Sequence, residues 1–217
     1  MTAAATHHYT TTGLDNRKIA IWAFIGSECM LFTSLISTYM IYKGRSVVGP
    51  FPHRPWTDPT TGQTLPPILD IPVTSASTFV LLMSSLFMVL ALAAVQNKNL
   101  PKHTRGDRIL GSSKLWLWAT ALAGATFLGF QAYEFTSFVH EGLTIKTNLF
   151  GSTFFTLTGF HGAHVTAGVL WLVTLLAIDY RRGLTPRDAM NVDLAALYWH
   201  FVDVIWIVIF TLIYLLQ

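Results

Sequence analysis

The feature that most constrains this chain is the recurrence of apolar runs about 20 residues long. That is the length needed to cross the hydrocarbon core of a bilayer as a helix. Five such runs are read along the chain: Ile19 to Tyr42, Val73 to Gln96, Leu115 to Phe138, Leu149 to Ile178, and Leu194 to Leu216. A backbone in lipid must satisfy its own hydrogen bonds, so each run is expected to be helical. Composition agrees, with 52% of residues hydrophobic and 12% charged, against roughly 25% charged in soluble domains. The sequence therefore predicts an all-α integral membrane protein, a bundle of five transmembrane helices over residues 19–217, preceded by a polar tail over residues 1–18.

A formal charge of +3 invites a nucleic-acid reading, but its distribution argues against one. With the amino terminus cytoplasmic, Arg17, Lys18, Lys98, Lys102, Arg105, Arg108, Lys114, Arg181, Arg182 and Arg187 fall inside; Lys43, Arg45, Arg54 and Lys146 fall outside. Ten against four is the positive-inside bias, which places the amino end in the cytoplasm and the carboxyl end outside. Cys29 is the only cysteine, so neither an intrachain disulfide nor a multi-thiolate site is possible. The first eighteen residues are polar and no cleavable signal is expected.

The connections are unequal. Residues 43–72 hold seven of the nine prolines, a density that predicts an extended outer loop without regular elements. Its Phe51, Trp56, Leu65, Ile68 and Leu69 favour packing on a surface over free disorder. The inner loop "NKNLPKHTRGDRILGSSK" is basic and suited to lipid headgroups.

Ionisable residues inside spans are costly and count as candidate functional positions. Here they are Glu28, Glu134, His161, His164, His200 and Asp203. By helical rise, five of them lie near the midplane or slightly inward of it, and Glu134 lies toward the outer end of its helix. His161 and His164 share a face, with Gly159, Gly162, Ala163 and Thr166 centred behind them, where small residues let another helix approach closely. Asp193, His200, Asp203 and Tyr214 form one stripe. Glu28 has no cation at helical spacing in its own span. A dimetal site would want Glu-x-x-His on each of two helices, and that spacing is absent. No metal ligand set is expected, and a stand-alone metal enzyme or a transporter with a proton path remains the alternative of another class. Interhelical hydrogen bonds are favoured for the histidines, while for Glu28 a structural and a functional role stand level.

At these residues "GSTFFTLTGFHGAHVTAGVLWL" and "ALYWHFVDVIWIVIFTLIYL" resemble the last two helices of subunit III of the haem-copper oxidases. The resemblance extends through "IGSECMLFTSLISTYMIY", "PVTSASTFVLLMSS" and "FLGFQAYEF", and covers nearly the whole chain from Ile19. It implies an accessory subunit of cytochrome c oxidase in respiratory electron transport, with no catalytic residue, haem or copper of its own. Those cofactors would sit in partner subunits, chiefly subunit I, on which this chain would pack among other oxidase subunits and structural phospholipid. Glu28 matches the family's buried carboxylate, Glu134 the glutamate of the middle helix, and His161 and His164 the His-Gly-x-His pair. Trp199, His200, Asp203 and Trp206 match the motif of the last helix; Gly159, Gly162, Trp199 and Trp206 are expected at packing surfaces toward subunits or lipid. The mitochondrial-type subunit has two further leading helices, so the form is expected to be that of a bacterial cytoplasmic membrane. Quinol oxidases and nitric oxide reductases have related subunits and give the nearest alternatives.

Overall fold

The computed structural model describes residues 15–59, 62, 64–98 and 105–216. Its elements are α1 (Asn16–Tyr42), a two-residue pair β1 (Trp56–Thr57) and β2 (Thr64–Leu65), α2 (Ile71–Gln96), a short α3 (Arg105–Leu110), α4 (Ser113–His140), α5 (Leu149–Arg181) and α6 (Ala189–Phe210). Five helices are long and apolar enough to cross a membrane, as the sequence predicts. Residues 1–14 of the polar tail and 99–104 of the basic loop lie outside the described residues, and residues 16–18 already belong to α1.

Local chemistry starts each helix. The side chains of Asp15, Asp70, Ser112 and Asn148 accept hydrogen bonds from the amides of Arg17 (2.9 Å), Val73 (3.3 Å), Leu115 (3.4 Å) and Gly151 (2.7 Å), each filling one otherwise orphaned donor. The last span begins five residues before the expected Leu194. Thr185 donates to Asp188 Oδ2 through its amide (3.0 Å) and its hydroxyl (2.9 Å), and Arg182 grips the same carboxylate at 2.7 and 3.0 Å. That bond raises the Arg182 pKa above its ordinary value. A capped start of this kind carries Asn191 and Asp193 into the helix despite their polarity, and Lys18 meets Asp193 at 2.7 Å.

The spans pack with α2 against α4 and α6, and with α5 against α4, α1 and α6. Trp199, Trp206, Tyr39, Tyr214, Phe32 and Phe127 are among the largest fully buried side chains. The proline-rich loop is not entirely irregular, contrary to expectation. Trp56 and Thr57 pair antiparallel with Leu65 and Thr64, because Pro55, Pro59 and Pro66 flank the pair and leave its amides intact. The loop also packs down: Ile68 and Leu69 are buried, Asn148 Nδ2 donates to the carbonyls of Val48 (2.9 Å) and Pro50 (3.1 Å), and His53 Nε2 donates to the Ile213 carbonyl (3.1 Å). After α6 the chain takes one wider turn of π-helix, Thr211–Leu215.

Candidate functional site

The buried polar residues resolve into separate groups rather than one cluster. Between α1 and α5, Glu28 Oε2 lies 3.0 Å from His164 Nε2. The other ring nitrogen, Nδ1, is 2.7 Å from the Phe160 carbonyl. A carbonyl only accepts, so Nδ1 carries the hydrogen. The contact with Glu28 then exists as a hydrogen bond only with one further proton between the two atoms. It sits on the carboxyl in a neutral pair or on the ring in an ion pair. Side-chain exposures of 17% and 15% leave the pair close to the surface of the bundle.

Along α2, hydroxyl groups meet the polar atoms of α6. Trp199 Nε1 donates to Ser84 Oγ (2.8 Å) and Trp206 Nε1 to Thr78 Oγ1 (2.9 Å). Ser85 donates its only hydroxyl hydrogen to Asp203 Oδ2. His200 Nδ1, 3.0 Å from Ser85 Oγ, must therefore be the donor in that contact. The result is a His200–Ser85–Asp203 relay, with Asp203 Oδ1 buried and without a partner among the described residues. Nearer the proline-rich loop, Glu134 Oε1 accepts from the Tyr214 hydroxyl (2.9 Å) and lies 2.7 Å from the Thr74 hydroxyl. The π-turn at the end of α6 brings Tyr214 to this position.

His161 departs from the expectation that both histidines fasten helices through hydrogen bonds. It is fully buried, and neither ring nitrogen has a partner among the described residues. Its ring stacks on Trp206 at 4.9 Å and 25° and meets the edges of Phe127 (5.8 Å) and Phe32 (6.4 Å). Aromatic neighbours from α1, α4 and α6 occupy the space in which a polar partner would have to stand.

The glycine face behind the histidines is likewise close-packed at one level only. A Cβ on Gly162 would stand 2.5 Å from Gln131 Oε1, whereas one on Gly159 would meet nothing within 4 Å. Ala163 and Thr166 are exposed. Helices that cross at an angle approach closely at a single level, here that of Gln131, whose amide donates to the Thr158 carbonyl (2.7 Å). Trp199 and Trp206 are packing residues of this chain's own interior. The Trp199 ring fits a slot where a Cβ on Gly124 or Gly168 would come within 2.5 and 2.8 Å of it.

Sequence reasoning missed the partners more than the principals. Thr74, Thr78, Ser84 and Ser85 recur at helical spacing along one side of an apolar run, which is the signal that marks them as an internal face. It also missed Asp179, just past the expected end of its span. That carboxylate is buried and accepts from Ser113 Oγ (2.7 Å) and the Leu184 amide (2.8 Å). Among the described residues no three His, Cys, Asp or Glu side chains are grouped so as to hold a metal ion.

Comparisons with known proteins point one way. A family model described as cytochrome c oxidase subunit III matches residues 1–217. Cytochrome c oxidase subunit 3 of Bacillus sp. (strain PS3) is 37% identical over 213 residues, 98% of this chain and 92% of the relative. Quinol oxidase subunit 3 of Bacillus subtilis (strain 168) is 35% identical over 198 residues, 91% and 86% of the two chains. Cytochrome bo(3) ubiquinol oxidase subunit 3 of Pseudomonas aeruginosa is 32% identical over 210 residues, 97% and 90%. With five membrane-crossing helices, interhelical polar contacts and that breadth of similarity, the chain belongs to the cytochrome c oxidase subunit III family, as a multi-pass, non-catalytic subunit of an oxygen-reducing haem-copper oxidase.

Proposed function

We propose that this chain packs on the haem- and copper-bearing subunit I of a cytochrome c oxidase in a bacterial cytoplasmic membrane, with its amino terminus in the cytoplasm and structural phospholipid around it. There it supports proton uptake and prolongs the working life of the oxygen-reducing centre without carrying a cofactor itself. The observation that carries the reading is the state of α1. Only 11% of its apolar stretch is buried in this chain, against 39–50% for the other four spans. Its contacts run along the stripe of Ile25, Phe32 and Tyr39, while Met30 is 76% exposed and Gly26 stands open. Ser27, Ser34 and Thr38 turn their hydroxyls back onto their own helix, which leaves a small-residue surface of the kind that membrane helices use to meet. Beneath that helix lies the proton-holding Glu28–His164 pair.

A photoreactive residue in place of Met30 tests the reading in the purified complex. Crosslinks to the haem-bearing subunit are expected. Crosslinks to lipid alone, with all subunits present, would remove α1 from the interface. The donor on this reading is cytochrome c. Quinol is the alternative, favoured by the relatives named quinol oxidases at 34–35% identity. Haem type and donor specificity of the purified complex separate the two.

A further inference from the structure

Two cavities meet at one carboxyl near the loop end of the bundle. The outer one, about 380 Å³, opens between the end of the proline-rich loop, the start of α2 and the end of α4. The inner one, about 10 Å³, lies deeper between α2, α4 and α6. Val73 and Glu134 line both. Glu134 stands six residues before the end of α4, roughly 9 Å in from that end by helical rise. Its side chain is buried, and the outer cavity joins it to the aqueous phase beside the loop.

The two carboxyl oxygens have different surroundings. Oε1 accepts from the Tyr214 hydroxyl (2.9 Å) and lies 2.7 Å from the Thr74 hydroxyl. Oε2 has no hydrogen-bond partner among the described residues, yet it is not sealed within protein atoms as the His161 nitrogens are. A buried carboxyl oxygen without a protein partner calls for water or a proton. The inner cavity has room for about one water molecule. Glu134, Gln131, Ser77 and Thr74 line it and supply the polar partners that a buried water needs. Gln131 spends one amide hydrogen on the Thr158 carbonyl, which leaves its oxygen and its second hydrogen to serve there. The titratable groups facing Glu134 are Asp70 at the start of α2, Tyr133 and Glu141 in and after α4, and Tyr214 beyond α6. No Lys, Arg or His lines either cavity, so no fixed cation stands by to hold a bare carboxylate.

We propose that Glu134 is a proton-exchange site, filled and emptied by water from the loop end of the bundle, with one ordered water in the cavity beneath it. On release, the O–H bond at Oε2 breaks and the proton passes to a water in the outer cavity as hydronium. The carboxylate left behind keeps the hydrogen bonds from Tyr214 and Thr74, which are strengthened by its charge. Asp70 and Glu141 line the way out and draw the hydronium toward the aqueous phase. On refilling, a hydronium returns its proton to Oε2 by the same path. Phe127, Phe130 and Trp206 wall the inner cavity, so the site exchanges protons with one side only. It is distinct from the Glu28–His164 pair, because no residue of α1 or α5 lines either cavity. The inference therefore stands or falls apart from the role proposed for that pair.

The test is infrared spectroscopy of the assembled oxidase in bilayer discs, moved rapidly from H2O to D2O. The wild type should show a protonated-carboxyl C=O band that Glu134→Gln removes. The Gln carbonyl can still accept from Tyr214 and Thr74, so that complex should keep its subunits. Glu134→Asp should move the band without abolishing it, which secures the assignment in a second variant. The band should shift within about a second of mixing, whereas a group reached only by opening of the bundle exchanges over minutes to hours. Ser137→Phe narrows the outer cavity without touching the inner one, and should slow the shift several-fold while leaving the band in place. Exchange over minutes in the wild type would overturn the proposal without reference to any variant. So would the lack of a Glu134-dependent C=O band at every pH at which the complex is intact. Exchange as fast as wild type in a Ser137→Phe complex of normal subunit content would remove the outer cavity as the path, and the proposal with it.

Discussion

Replacing Glu28 by Gln and by Leu separates the packing role of the Glu28–His164 contact from its proton. His164 Nδ1 must carry hydrogen because it faces the Phe160 carbonyl, so a neutral imidazole presents a bare Nε2 to Glu28 at 3.0 Å. A Gln amide can donate to that nitrogen and keep the bond; a Leu cannot. Hydrogen bonds between membrane helices are worth about 0.6–2 kcal/mol, and the partial exposure of both side chains points to the lower half of that range. Glu28→Leu should therefore cost about 1 kcal/mol, roughly a fivefold shift toward detachment of α1, and Glu28→Gln a few tenths at most. A double-mutant cycle with His164→Leu, read by unfolding in mixed detergent micelles, measures the coupling. Nitrogen NMR of His164 should show the hydrogen on Nδ1. In the purified complex both variants should keep the initial rate of oxygen consumption. Glu28→Gln holds the helices but removes the titratable proton, so it should still alter proton uptake or shorten activity during sustained turnover. If Gln destabilises as much as Leu, the shared proton rests on the ring and the contact is an ion pair rather than a neutral hydrogen bond. If Gln leaves rate, proton uptake and lifetime unchanged, Glu28 is a packing residue.

Further outcomes can be checked separately. A reporter fused after Gln217 should be active only outside the cytoplasm, and activity inside would invert the topology read from the charge distribution. Gly168→Ala should destabilise by about 1–3 kcal/mol, as overpacking does, because Trp199 is held by Ser84 and cannot withdraw. Gly159→Ala, with open space around it, should be neutral or slightly stabilising by the same unfolding measurement. The isolated chain should bind no stoichiometric metal or haem; one metal per chain, lost in His161→Ala or His200→Ala, would revive the metal-enzyme alternative.

Helix number and the span limits at Tyr42, Gln96 and Leu149 were legible because hydrophobic length and capping residues act locally. The start of α6 was not, since its early onset depends on Arg182 reaching Asp188 across a turn. Among the site residues, identity was legible and pairing was not. Helical spacing puts His200 and Asp203 on one side of α6, but only the packing of α2 against α6 reveals Ser85 between them. His161 and His164, three residues apart, look alike in sequence. Their neighbours differ: one meets a carboxyl from α1 and the other meets rings from three helices. Such differences live in contacts between helices, 34 to 136 residues apart along the chain.

The hydroxyls of α2 also set an order of assembly during synthesis. Ser84 donates to the Leu81 carbonyl and Thr78 to that of Thr74, at 2.7 Å, so both donors are satisfied within α2 as soon as that helix forms. Their lone pairs await the indoles of Trp199 and Trp206, which leave the ribosome more than a hundred residues later. The early helix can thus wait in lipid without an unsatisfied donor, holding acceptor sites for a helix not yet made. A chain halted after α5 would keep those acceptor sites empty, since both indoles that fill them belong to α6.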